Sequence, residues 1–325
     1  MKRGLRSLLA LAGAAFLANA AAAHAQDYPS RLVKFIVPQT PGGATDVFAR
    51  AMAQKLSERW GQPVVVENRA GAAGNIGTDA VAKSPTDGYT ILVTYAGSQA
   101  INPALYAKMP YDSVKDFQPI ATIASTPFFL IVNPKVPAKT FRELLALSFS
   151  KPDGLSFGSS GNGSVNHLLG EMLKAETGFR YVHVPYRGIA PAVTDLIGGQ
   201  IETVFASVPS VLQNVQSGQV RAIAVSSKKR ISVAPDVPAV AEDGFPGYDV
   251  NPWWGMLAPA GIDMAIVRKI NADVRAILKT PEMEKLLASN GAEALVTSPE
   301  QFLEILKADV EKWAKVVKAA GVQIN

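Results

Sequence analysis

Cysteine is missing from all 325 residues. That excludes disulfides, thiol nucleophiles and Cys-ligated metal centres. Histidine is nearly as scarce: of three, His24 falls in the leader described below, leaving His167 and His183 in different predicted elements, a poor basis for a metal site. No block of Lys or Arg is present of the kind that tracks a phosphate backbone, so nucleic acid is not an expected partner. After residue 25, no apolar run reaches the ~18 residues that a membrane helix requires. Nor is there a repeat of 20–50 residues or, past the leader, a low-complexity tract.

What is present begins with a basic start, Lys2, Arg3 and Arg6. An apolar stretch from Leu8 to Ala23 follows, and Ala23-His24-Ala25 fits a small-x-small cleavage pattern. Together they predict a secretory signal peptide over 1–25, Gln26 as the mature N-terminus and a periplasmic location. A membrane anchor fits less well, because the run is short, Ala-rich and broken by Asn19; without cysteine there is no lipoprotein anchor. Three of the 32 basic residues lie in this leader, leaving 29 against 27 acidic ones, so the basic pI is largely the leader's. The remaining chain, about 300 residues, is long for one hydrophobic core and comfortable for two.

Strands and helices then alternate. Leu32–Val37 reads as a short strand, Pro41-Gly42-Gly43 as a turn, and Phe48, Met52, Leu56 and Trp60 as one face of a helix that Gly61 stops. Val64–Val66 and Thr90–Thr94 are further strands, with Gly71–Gly77 leading into a helix between them. A second set covers Phe128–Val132, Leu155–Phe157, Tyr181–Val184, Val204–Ala206 and Ala222–Val225, with the turn Ser160–Ser164 opening a helix to Thr177. This order predicts an α/β fold built on parallel, doubly wound sheets. Between Lys228 and Pro259 the periodicity fails, and a long irregular return path is expected. Three capped helices, starting at Asp263, Thr280 and the capping box Ser298-Pro-Glu-Gln301, end the chain.

The chemistry concentrates in three glycine-rich turns: Pro41–Gly43, Gly71–Gly77 and Gly158–Ser164. Each follows a strand and precedes a helix, placing it at the carboxyl edge of a sheet, where ligands bind. Helix N-termini there offer free N–H groups and partial positive charge, and so hold anions. The spacing of Gly71, Gly74 and Gly77 is not a dinucleotide fingerprint, and no P-loop Gly-Lys-Ser/Thr occurs. Ser164 and His167 share a helix face and could form a nucleophile–base pair, but the nucleophile-elbow pattern is absent, so a serine hydrolase is the lesser reading. Asp46, Asp79 and Asp195 read as first-turn or surface carboxylates, and Trp253-Trp254 as packing.

Four stretches together resemble the Bug-type extracytoplasmic solute receptors of tripartite tricarboxylate transporters. They are Pro41-Gly-Gly-Ala-Thr-Asp46 with Ala49-Arg50; Val66-Glu-Asn-Arg-Ala-Gly71 with Gly74-Asn-Ile-Gly77; Gly163-Ser164, His167-Leu168 and Glu171 with Val184-Pro-Tyr-Arg-Gly188; and Trp254-Gly255 with Leu257-Ala-Pro-Ala-Gly261. The resemblance implies a two-lobed periplasmic-binding-protein type II (Venus flytrap) fold, each lobe a mainly parallel sheet flanked by helices. Lobe one would comprise 26–123 and 226–325, and lobe two 124–225. It implies a monomer with no cofactor, no metal and no catalysis, capturing a small organic anion for the membrane subunits of such a transporter; a sensing role would use the same lobes. The implied ligand residues are Gln39, Thr40, Gly42, Gly43, Asp46, Ala73 and Gly74 from lobe one. From lobe two they are Ser159, Ser160, Gly161, Ser164, His167, Tyr186, Arg187 and Ser207. Gln39 and Thr40 stand where aromatic or apolar residues are common in that family, which implies a more polar ligand or an extra hydrogen bond.

Overall fold

The computed structural model describes residues 28–323; the predicted leader lies outside them. The chain opens as β1 (Val33–Val37), α1 (Ala44–Trp60), β2 (Val64–Asn68), α2 (Asn75–Ala82) and β3 (Thr90–Tyr95). β1 pairs in parallel with β2 and with β3, as strand–helix–strand order requires. Gly61 ends α1 at φ +64, a left-handed position that explains its glycine. A π turn (Gly97–Ile101) and a short α3 (Asn102–Leu105) lead to β4 (Phe117–Ser125).

The chain then enters a second sheet with β5 (Phe128–Val132). It continues through α4 (Phe141–Ser150), β6 (Leu155–Ser159), α5 (Val165–Thr177), β7 (Tyr181–Pro185), α6 (Ile189–Gly198), β8 (Thr203–Ser207), α7 (Val208–Gln216) and β9 (Arg221–Val225). It returns to the first sheet as β10 (Trp253–Pro259), followed by α8 (Met264–Leu278), α9 (Pro281–Ser289), β11 (Glu293–Ala294) and α10 (Pro299–Ala320). The strand orders are β11-β4-β10-β3-β1-β2 and β7-β6-β8-β5-β9.

One expectation needs correction. The segment 228–259 is not irregular throughout: its last seven residues are β10, buried along its whole length between β3 and β4. Trp-Trp-Gly-Met-Leu-Ala-Pro shows no alternation because both faces of the strand are covered, and period 2 appears only when one face meets water. Each sheet has most of its strands in one direction, as expected, with a reversed minority. β10 runs antiparallel to both neighbours, and β11 to β4, so four of six strands share one direction. In the second sheet β5 alone is reversed.

The C-terminal helices start where their caps predict. Asp263 accepts from the Ala265 N–H, Thr280 from Met283, and Ser298 from Gln301 in a reciprocal box. α10 buries Phe302, Leu306, Trp313 and Val317. Its Phe302 ring stands edge-on to Trp253, with centroids 4.8 Å apart. A Cβ on Gly255 would lie 2.5 Å from that ring, so glycine lets the helix close on the strand. α10 also packs on α5, and Tyr248 donates to the Leu169 carbonyl at 2.9 Å, so the first sheet's helices and the return segment both grip the second sheet's longest helix.

Candidate functional site

A cleft of about 660 Å³ lies between the carboxyl ends of the two sheets. Five helix starts reach its wall: Gly43–Thr45 of α1, Ala70–Gly74 ahead of α2, Ser164–Asn166 of α5, Gly188-Ile189 of α6, and Ser207 with Ser210 of α7. Each first turn leaves backbone N–H groups without helical partners, and each helix adds a fraction of a positive charge at that end. At α5 the Ser164 hydroxyl accepts the His167 N–H, so the Val165 and Asn166 N–H groups stay unclaimed. Among the described residues the lining contains no Asp, Glu, Lys or His. Arg187 is its one ionised side chain, exposed and in no ion pair among the described residues.

The α2 approach is strained. Gly71, Ala72, Ala73 and Gly74 have φ of +137, +46, +53 and +99. A left-handed alanine costs roughly 1–3 kcal/mol, so two in succession need outside support. Ser98 and Asn102 supply it, both donating to the Ala73 carbonyl, at 3.1 and 3.0 Å. Asn102 also donates to Asn75 Oδ1 at 2.7 Å, and the Tyr111 hydroxyl donates there at 2.8 Å.

Nine of the residues expected from sequence line the cleft: Gln39, Thr40, Gly43, Ala73, Gly74, Ser160, Ser164, Arg187 and Ser207. Six do not, and each has a partner elsewhere or lies behind the wall. Asp46 is buried and accepts from the Gly42 N–H, Arg50 and Asn68, fastening the first turn to α1 and β2. Burial opposes its charge, but these hydrogen bonds outweigh it and hold the carboxyl below its usual range. Gly42 is that turn's exposed far side. Ser159 is fully buried, its hydroxyl 2.6 Å from His183 Nε2 and accepting the Gly161 N–H. Gly161 gives its carbonyl to the Ser164 hydroxyl. His167 accepts the Gly163 N–H at Nδ1, 3.0 Å, and stacks on His183 with centroids 3.8 Å apart and planes 3° apart. Burial pushes both imidazoles down to about 4, so both are neutral near pH 7. The Tyr186 hydroxyl donates to Asp195.

The arrangement gives a hydrolase no machinery. Ser164 and His167 meet only through the backbone cap, and the one Ser–His side-chain hydrogen bond among the described residues, Ser159 with His183, has no opening to the cleft. Sequence reasoning missed Tyr95, Ser98, Asn102, Phe128, Ser210 and Trp254 in the wall. Tyr95 ends β3 and Ser98 follows it, so the carboxyl-edge rule could have found them. Trp254 arrives from β10, more than 150 residues further along the chain, with no local signal.

A model of the tripartite tricarboxylate transporter family receptor matches residues 48–322. The chain belongs to that receptor family. The receptor is 37% identical to Protein BugT of Bordetella pertussis over 98% of each chain. An R. palustris protein solved with adipate shares 37% identity and superposes at a TM-score of 0.87, covering 91% of this chain and 99% of the other. MatC from Rhodopseudomonas palustris, solved with bound malate, shares 30% at a TM-score of 0.82, over 89% and 100%. The fold is therefore that of the two-lobed solute receptors, and the protein is a receptor and not an enzyme. No helix among the described residues is long and apolar enough to cross a membrane. The family match starts inside α1, so the receptor's first turn, Gln39–Gly43, lies before it, while the turns at 71–74 and 159–164 lie within.

Proposed function

We propose that this receptor captures, in the periplasm, a small organic carboxylate that carries no ammonium group, and delivers it unchanged to the membrane subunits of a tripartite transporter. One observation carries the reading: five helix N-termini and Arg187 converge on a cleft whose lining has no acidic side chain among the described residues. An amino acid's ammonium would find no counter-charge there. A carboxylate would meet donors on both walls. Hydrogen bonds to a charged group contribute roughly 1.5–3 kcal/mol each, so four nominally reach the about 8 kcal/mol of a micromolar complex before binding entropy is subtracted. The adipate and malate of the two related structures agree with this chemistry.

Two lobes, one built on each sheet, would close on the ligand as rigid bodies. Since β4 continues to Ser125, the first crossover is read at Thr126-Pro127. The return path packs on the second sheet, with Ala239 bridged to Val225 and Tyr248 bonded to the Leu169 carbonyl, which supports a second crossover at Asn251-Pro252 instead of the boundary at 225/226 expected from sequence. The two crossings lie side by side, the Thr126 N–H donating to the Pro252 carbonyl at 3.3 Å.

A thermal-shift and calorimetric screen of the mature protein tests this, using mono-, di- and tricarboxylates beside their amides and beside amino acids. A carboxylate at 100 times its Kd should add about 2.7 kcal/mol of stability. Arg187→Gln should weaken its binding about ten- to a hundred-fold. Equal binding of the amides, or recovery of a chemically altered ligand, would refute the proposal.

A further inference from the structure

The two walls of the cleft differ in what their polar side chains have left to give. On the second-sheet wall they satisfy one another. The Ser160 hydroxyl donates to Asn166 Oδ1, and Asn166 Nδ2 to the Phe205 carbonyl. Ser164 donates to the Gly161 carbonyl, and Ser207 and Ser210 share a hydrogen bond at 2.6 Å. What remains there is charge-seeking: backbone N–H groups and the Arg187 guanidinium.

The first-sheet wall keeps unspent side-chain groups beside the starts of α1 and α2. Gln39 leaves the end of β1 with its carbonyl held by Asn68, which also grips Asp46. Its side-chain Nε2 donates to the Ser98 hydroxyl at 2.7 Å, and that hydroxyl donates onward to the Ala73 carbonyl. Gln39 Oε1 is buried with no donor among the described residues. With its one proton on the Ala73 carbonyl, the Ser98 hydroxyl can only accept from Gln39, which turns Nε2 towards Ser98 and leaves the oxygen unspent. Nearby, Tyr95 comes off β3. Its ring stacks on Trp254 at 5.8 Å and 21°, and a Cβ on Gly97 would lie 2.4 Å from it, so its position is fixed. The Tyr95 hydroxyl makes no hydrogen bond among the described residues, and burial pushes its pKa up to about 12, which keeps it a neutral donor. Native proteins leave few buried polar atoms unpaired, so an unspent oxygen on a residue of the cleft wall points to a partner that the ligand supplies.

We propose that Gln39, assisted by Tyr95, is a specificity-determining residue that selects a carboxylate bearing a hydroxyl group. The hydroxyl meets the Gln39 amide while the carboxylate lies at the starts of α5, α6 and α7. A hydroxyl can donate to the unspent Gln39 oxygen and accept from the Tyr95 hydroxyl at once. A methylene in its place leaves the buried amide atom unpaired, and sites built to bond a hydroxyl reject the analogue lacking it far more strongly than apolar pockets separate sizes. This rests on the carboxylate reading above and narrows it.

Calorimetric titration of matched pairs tests it: malate against succinate, citrate against tricarballylate, 3-hydroxybutyrate against butyrate, gluconate against hexanoate. In every pair that binds, the hydroxylated member should bind at least about tenfold tighter to the wild type. In Gln39→Leu that ratio should collapse towards one, and in Tyr95→Phe it should shrink. Melting temperatures establish that each variant is folded; should Gln39→Leu not fold, the wild-type ratios and Tyr95→Phe decide. Deoxy members binding as tightly as their partners, or a ratio unchanged in Gln39→Leu, would overturn hydroxyl selection and leave the carboxylate reading standing. Binding by no acid of the set would overturn both.

Discussion

Acid should unfasten the turn that carries Ser160 and Ser164. His167 takes the Gly163 N–H on Nδ1, and His183 holds the Ser159 hydroxyl, so two imidazoles clamp the two ends of one turn. Both must be neutral to stack face to face at 3.8 Å. Burial lowers each from 6.5 to about 4, with the charge of His167 lowering His183 further and Glu171 partly opposing. In the unfolded chain both take up a proton near pH 6.5, whereas the native protein resists until about pH 4. Their contribution is therefore complete above 6.5 and is lost as pH falls from 6.5 to about 4. For His167, only 6% exposed, a fall of about 2.5 pH units at about 1.36 kcal/mol each gives ~3 kcal/mol. His183 is partly open to solvent, so screening reduces its share to roughly 1–2 kcal/mol. The sum is a sizeable part of a typical 5–15 kcal/mol stability. The perturbation is His167→Asn, whose Oδ1 can still accept the Gly163 N–H but does not titrate. Urea unfolding of both proteins at about pH 7, 6 and 5 measures the difference, which cancels the carboxylates common to both. Wild type should lose about 2 kcal/mol more than the variant between pH 7 and pH 5. Parallel curves, or a directly titrated His167 above pH 6, would refute the reasoning.

Ser164 separates cap from ligand contact. Ser164→Ala removes the acceptor of the His167 N–H and should cost about 1 kcal/mol of stability. Ser164→Asp keeps a good cap and near wild-type melting, but its charge opposes the anion, so calorimetry should find affinity down by about a hundred-fold or more. Binding as tight as wild type would remove this turn from the site. Gly77→Ala places a Cβ 2.6 Å from the Arg69 carbonyl and 2.9 Å from Pro38, forcing α2 off the first turn. The expected loss is roughly 1–3 kcal/mol by thermal unfolding, and an unchanged melting temperature would show that the helix yields freely.

What the chain decided alone was local. β1, α1 and Gly61 follow from an apolar run, a four-residue apolar spacing and one left-handed glycine, all within 30 residues. The caps at Thr140, Asp263, Thr280 and Ser298 depend on contacts two or three residues away. The three turns fall at strand ends because each belongs to one strand–turn–helix unit, and that was enough to place Gly43, Ala73, Gly74, Ser160 and Ser164 in the cleft wall, whereas Gln39, Thr40, Arg187 and Ser207 came from the family resemblance.

Long-range pairing decided the rest. β10 enters the middle of a sheet begun more than 200 residues earlier, so its antiparallel sense and the presence of Trp254 beside Tyr95 are facts of assembly. Ser159 and Ser164 are five positions apart in the same turn and look alike in sequence. Only the arrival of His183 on a neighbouring strand spends the first in the interior, while the second faces the cleft. The composition of a turn tells which groups could meet a ligand. Which of them are already satisfied depends on residues brought in from elsewhere, because a hydrogen bond needs its partner within about 3 Å, and the chain alone sets that distance only for near neighbours.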